Sequence, residues 1–178
     1  MLTPSRREDP EEPVQFADGR VFEVGSGRAM LHRDQAAIYL AVPLRNVGSG
    51  IALLRGYRLE AEAAEGIAED PRGIARHRRG DAAPDPAAFA EQQRDLYIPS
   101  DAVGFWQAAL RDPAESLYGR VQGAIDGGGR LTVDLFYTDH EGGQPTITRF
   151  VLLPGDGERW RCDVTHHWSI TGAATDHL

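Results

Sequence analysis

A chain of 178 residues with 41% apolar and 26% charged side chains is large enough to bury a core of its own, so it needs neither a disulfide nor a metal to fold. Its formal net charge of −8 argues against a nucleic-acid partner, and no stretch approaches the roughly 20 apolar residues of a membrane span. All 19 basic residues are arginine, which removes lysine chemistry, and the single cysteine, Cys162, cannot close an intrachain disulfide. A reducing, cytoplasmic setting is therefore expected.

Residues 1–13 (MLTPSRREDPEEP) are charged and carry three prolines. They read as a flexible tail or linker, with a single domain over 14–178. From Arg20 onward short β-like runs alternate with glycine: RVFEV (20–24), GSG (25–27), RAMLH (28–32) and AAIYLAVPLRN (36–46). In the last run Ile38, Leu40, Val42 and Leu44 share one face, a period of two that specifies a strand. Pro43 lacks a backbone donor and is expected at an edge, a bulge or a bend. After the turn NVGSG, alternation of Tyr57, Leu59, Ala61 and Ala63 with charged residues predicts another strand, although the Ala and Glu content of 60–69 also suits a short helix.

Residues 66–88 mix Gly, Pro and charges with no apolar period and read as a long surface loop. Six further strands are expected at 94–100, 103–110, 118–125, 130–139, 144–153 and 159–170, with a helical turn at 111–117. A two-residue turn at Gly142 and Gly143 would set Leu135 opposite Phe150 and Val133 opposite Leu152. The expected fold is all-β: an antiparallel, immunoglobulin-like β-sandwich of about nine short strands.

The chemistry-bearing residues form no recognised motif. His166 and His167 are adjacent, and neighbouring strand residues point to opposite faces, so they do not chelate one ion. On the stripe Trp160, Cys162, Val164, His166, Trp168, His166 is expected in or beside the core and His167 at the surface. The cluster Asp139, His140, Glu141 at a hairpin tip has oxygen ligands and an imidazole, yet polar hairpin tips need no such purpose. Neither Ser26 nor Ser49 sits in a GxSxG elbow, and Gly127–Gly129 is not followed by the helix and Lys of a phosphate loop. The run Arg76–Arg79 reads as a solvated loop. No cofactor and no metal are expected.

The phrases LRNVGSGIALL (44–54), YIPSDAVGF (97–105) and LFYTDHEGGQPTITRFVL (135–152) resemble bacterial immunoglobulin-like sandwiches, over roughly residues 36–170. The phrases DLYIP, GFWQAALRDP, DHEGGQPTITRF and HHW are similar to a family of uncharacterised hypothetical proteins from GC-rich bacteria. That resemblance implies no activity, and it implies a membrane tether only through an anchor that longer relatives carry and this chain lacks.

Two functions follow as expectations. The first is a non-enzymatic module for protein–protein interaction or self-assembly, more an interaction module than an enzyme. Its surface would comprise Phe105, Trp106, Phe136, Ile147 and Val151, apolar residues on a sheet face that needs a cover from the 66–88 loop, from the segment Val14 to Phe16, or from a partner or second copy. The alternative is an enzyme or small-ligand binder with a site drawn from Asp134, Asp139, His140, Asp163 and His167, provided these converge in one pocket.

Overall fold

The computed structural model describes residues 1–64, 82–140 and 143–170. Among them, eleven strands and one helix follow in the order β1 (Leu2–Pro4), β2 (Glu12–Gln15), β3 (Val21–Val24), β4 (Arg28–Arg33), β5 (Ile38–Asn46), β6 (Ala52–Glu62), β7 (Ala90–Ile98), β8 (Val103–Leu110), α1 (Ser116–Gly127), β9 (Arg130–Asp139), β10 (Thr146–Leu153) and β11 (Arg159–Ser169). All ladders are antiparallel. The protein is thus mainly antiparallel β with a single helix. Nine strands form one curled, half-barrel sheet and β2–β3 a separate hairpin, where two facing sheets of a sandwich were expected.

The sheet is organised around β5. One edge of β5 pairs with β8 along Ile38–Arg45. Its other edge pairs with β4 over Ile38–Ala41 and with β1 over Leu44–Asn46. Pro43 lies just where β4 has ended and β1 begins, and its carbonyl accepts from the Ser5 N–H at 2.9 Å. In an antiparallel ladder a residue's N–H and C=O point to the same edge, so the donor that proline lacks faces the break between β4 and β1. From β4 the sheet continues through β11, β10, β9 and β6 to β7. Among the described residues its edges are β7 and β8, which are consecutive in the chain yet share no ladder, together with the short β1, which pairs with β5 alone.

One core fills the inside of the curl, with Leu40, Val42, Leu54, Trp106, Leu131, Val133, Phe150 and Leu152 buried in it together with Tyr118, Val121 and Ala124 of α1. Each such side chain contributes roughly 1.5–3 kcal/mol on leaving water. A second core lies outside the sheet: Val14, Phe16 and Val24 of the β2–β3 region cover Met30, Tyr39 and Ala41, with Phe22, Phe105 and Ala109 packed against them. Phe16 meets Tyr39 edge-on at 5.2 Å, a geometry favoured by the ring quadrupoles. This is why β5 is apolar on both faces. The 66–81 part of the expected 66–88 loop lies outside the described residues.

Four expectations are corrected. Residues 1–13 are not a free tail: Leu2 is fully buried, and Asp9 is buried against Arg45 at 2.6 Å. Composition concealed this because the segment is held by ladder bonds to β5 and one apolar anchor. The strand expected at 118–125 is the helix α1, whose Tyr118, Val121 and Ala124 recur at helical spacing. Gly128 closes it in the left-handed region at φ 69°, and the Gly129 N–H donates to the Ala124 carbonyl at 2.7 Å. The β9–β10 register is shifted by two residues, so Val133 faces Phe150 and Leu131 faces Leu152, while Thr148 faces Leu135. An even shift keeps every side chain on its expected face.

The fourth correction changes faces. In β11 Val164 is opposite Phe150 but His166 is opposite Arg149, so Thr165 is an extra, bulged residue. A single inserted residue inverts the alternation beyond it. His167 therefore joins the Val164 face, across from Thr148, and His166 with Trp168 turns to the other side.

Candidate functional site

The residues expected to form a ligand site do not meet. Asp134 is fully buried on the outer face of β9, where it accepts from Arg58 (Nε 3.1 Å, Nη2 2.8 Å) and Arg149 (Nε 2.6 Å, Nη2 2.8 Å). Three of these bonds fall on Oδ2 and one on Oδ1, which makes the group a cross-strand clamp. Arg149 also lies over the Trp168 ring at 5.0 Å, and Trp168 stacks on His166 at 4.9 Å. Asp139 caps the hairpin turn, its Oδ1 accepting from the Gly143 N–H. His140 is exposed at that turn, and Glu141 lies outside the described residues. Asp163 is exposed, 3.7 Å from Arg161. Among the described residues no group of three His, Cys, Asp or Glu side chains could hold a metal ion.

His167 stands at the end of a hydrogen-bonded chain. Leu2 N–H donates to Tyr137 Oη at 3.0 Å, Tyr137 Oη and Thr148 Oγ1 are 3.0 Å apart, and Thr148 Oγ1 is 2.8 Å from His167 Nδ1. With Tyr137 already accepting from the backbone, its hydroxyl proton points to Thr148, Thr148 donates to Nδ1, and His167 is the neutral tautomer protonated at Nε2. Loss of water around this imidazole lowers its pKa below 6.5, with the positive charges of the amino terminus and His166 adding to the effect. Burial raises the Tyr137 pKa for the same reason. Burial also holds the fully enclosed Cys162 thiol in its protonated form.

Nor do the five residues of the expected interaction surface form one face. Trp106 is fully enclosed in the inner core, and Ile147 and Val151 are buried. Phe105 packs against the outer core beside Phe16, so the Val14–Phe16 segment of the chain supplies its cover. Phe136 is half-buried and meets Phe89 at 6.0 Å.

The structure instead opens between the two edge strands. At the turn end the seam is shut: a Cβ on Gly104 would lie 2.7 Å from Ile98 Cγ1, so the isoleucine sits directly on the glycine. Farther along, β7 leaves the ladder. Leu54 pairs with Leu96 and Gly56 with Glu91, so the four residues Gln92–Asp95 stand opposite Arg55 alone. A bulge of this kind re-aims side chains and interrupts pairing. Here it turns Gln92, Arg94 and Asp95 into a cleft of about 390 Å³ whose opposite wall is Phe105, Gln107, Ala109 and Arg111. Tyr57, Leu96 and Ala108 from the inner core and Phe16 from the outer core complete its apolar lining.

The polar groups of this cleft are incompletely used. Gln107 Nε2 donates to the Gln15 carbonyl at 3.3 Å, which fixes the amide and leaves its oxygen turned away from that bond. Gln107 Oε1 and Gln92 Oε1 are both buried and have no hydrogen-bond partner among the described residues. An unsatisfied buried acceptor costs about 1–3 kcal/mol. Arg111 is engaged, 3.2 Å from Asp18 and over the Tyr39 ring at 5.7 Å. Arg94 is exposed and has no ion-pair partner among the described residues. Among the described residues Asp95 receives a 3.4 Å hydroxyl contact from Tyr97 and no other side-chain hydrogen bond.

Two other recesses compare poorly. One of about 570 Å³ on the far side of the bulge shares Gln92 and Asp95 and is walled by Pro86–Glu91 and Phe136, so it holds only one of the two glutamine oxygens. One of about 220 Å³ beside Asn46, Tyr137 and Asp139 includes a single residue of the expected ligand set. The strand expected at 94–100 began inside the true β7, which hid Gln92 in a connecting segment; the polar run EQQRD entering a strand was the available signal.

No protein-family model matches this chain, and no curated protein matches it. A solved structure described as a protein from Archaeoglobus fulgidus is similar at 12% identity, covering 80% of this chain and 94% of the other, with a TM-score of 0.30. A likeness of that degree carries no argument about function. Among the described residues no helix is long and apolar enough to cross a membrane.

Proposed function

We propose that the chain is a non-enzymatic binding protein that takes a small ligand in the seam between β7 and β8. The observation that carries this reading is a cleft between two unladdered strands that combines an apolar and aromatic lining with the exposed, oppositely charged Arg94 and Asp95. A volume of about 390 Å³ suits a small molecule. The lining includes no histidine, cysteine or serine, which favours binding over group transfer.

The test is a titration of the ¹⁵N-labelled chain with benzamide, 3-phenylpropionate, 2-phenylethylamine and L-phenylalanine in turn. Backbone amides of Gln92–Leu96 and Phe105–Ala109 should shift with at least one of them. Shifts elsewhere, or none, would overturn the reading.

A second reading has its own observation. Neither β7 nor β8 has a ladder partner on its outer edge, and an open edge is a template for strand addition by a protein partner or a second copy. Light scattering after gel filtration checks it: a dimer that Ala109→Pro dissolves supports edge pairing, because the Ala109 N–H points away from β5, and a monomer at every concentration removes self-assembly. A cytoplasmic setting fits both readings, given the free Cys162 thiol.

A further inference from the structure

Resting on the reading of the seam as a small-ligand site, we infer that its ligand is a short peptide, bound extended as an added strand on the free edge of β8. The inference follows from the direction of the β8 backbone. Along β5, odd and even residues use opposite edges. The Pro43 carbonyl accepts from the Ser5 N–H and the Val47 N–H donates to the Met1 carbonyl on the β1 side, whereas the Asn46 N–H and carbonyl bond Ala102 and Asp101 on the β8 side. Tyr39, Ala41 and Pro43 therefore turn away from β8, and their register partners Ala109, Gln107 and Phe105 turn away from β5. The backbone N–H and C=O groups of these three residues point into the seam and have no hydrogen-bond partner among the described residues. All three residues are half-buried rather than enclosed, and all three line the cleft.

A row of donors and acceptors repeating every second residue is matched by another extended backbone and by no compact head group. β7 makes no ladder with β8 and stands across the cleft as its other wall, so the space suits one extended segment. In an antiparallel addition the peptide residue opposite Gln107 exchanges two bonds with it, and the residues two places away do the same with Phe105 and Ala109. Side chains of that segment alternate between the two faces. The one opposite Ala108 points inward, where Ala108, Leu96 and Tyr57 flank the inner core and favour an apolar group. Those opposite Phe105 and Ala109 point outward beside Phe16, which again favours apolar groups. The charges of the lining are balanced, because Arg111 is held by Asp18 and Arg94 adjoins Asp95 in the chain. An uncharged segment therefore fits, and the main chain is what remains to be recognised.

The experiment is isothermal titration of the full chain with the blocked pentapeptide acetyl-Val-Leu-Thr-Leu-Val-amide and with its singly N-methylated forms, one for each residue. N-methylation removes one donor and leaves every side chain in place. Losses should alternate along the peptide: about tenfold at the first, third and fifth residues, whose N–H groups face β8, and within about twofold at the second and fourth. Ala109→Pro, which deletes one outward N–H, should weaken the unmodified peptide about tenfold, while Ala109→Gly, which keeps it, should change affinity by less than about threefold. An equal loss at every position, or none at any, means that side chains alone hold the peptide and overturns the added strand while leaving the cleft as a site. No heat with the peptide, together with amide shifts in the cleft from L-phenylalanine or another small probe, overturns the peptide and spares the small-ligand reading. No heat and no shifts with any probe remove both.

Discussion

The wall formed by β9, β10 and β11 and the seam between β7 and β8 handle buried polar groups in opposite ways. In the wall, the Asp134 carboxylate is enclosed by two arginines that deliver four hydrogen bonds, and Thr148 links Tyr137 to His167. Two threonine hydroxyls there, Thr138 and Thr165, lack partners, the second belonging to the bulged residue. In the seam, the amide oxygens of Gln92 and Gln107 are enclosed without hydrogen-bond partners among the described residues. The contrast separates polar groups that hold the fold from polar groups that weaken it. Substitution should therefore have opposite signs in the two regions.

The largest effect belongs to the wall. Asp134→Ala leaves Arg58 and Arg149 confined without their shared counter-charge and should cost about 3–5 kcal/mol in urea unfolding. A loss near zero would mean that the two arginines find other partners, and the wall would no longer contrast with the seam. Next comes the segment that closes the half-barrel on the far side of β5. Leu2→Ala removes a fully buried side chain and should cost about 2 kcal/mol or more. A free tail would show no change.

A smaller effect is the acid response of the wall. The folded-state pKa of His167 lies below its unfolded value, so the neutral imidazole's contribution is fully present above about pH 6.5 and is lost as pH falls through the depressed folded value. Melting temperature should drop on acidification through that window, and Thr148→Val should reduce the drop. A His167 that gained stability on protonation would require Nδ1–H to donate to Thr148, reversing the chain from Tyr137.

How much of this was legible in the sequence depends on what each residue's signal encodes. Alternation placed β5, β8, β9, β10 and β11 within a few residues of their ends, because a half-buried strand writes its period into Ile38–Leu44 or Leu131–Leu135. It also leaves β8 apolar on both faces, and the hairpin packed over Phe105 is the physical reason. Alternation does not count bulges. One extra residue at Thr165 inverted the faces of His166 and His167, although His166 is half-buried and His167 exposed as expected, and three extra at Gln92–Asp95 opened the seam. Glycines inside α1, Gly119 and Gly123, lowered its helical propensity and favoured the strand reading, although Leu117, Tyr118, Val121, Ala124 and Ile125 trace a helical stripe. The candidate site was the least legible part. It is made of ordinary Gln, Arg and Asp residues whose significance lies in lacking partners, which only three-dimensional pairing reveals.

The most direct test of the seam's role is the stability of the Gln92→Leu/Gln107→Leu double variant, measured by urea unfolding without any ligand. If the two oxygens weaken the fold, replacing them relieves an unsatisfied acceptor at each site and should raise stability by about 1 kcal/mol or more, even after losing the 3.3 Å bond to Gln15. A fall in stability of similar size would show that the glutamines serve the fold and that the seam, like the wall, is structural.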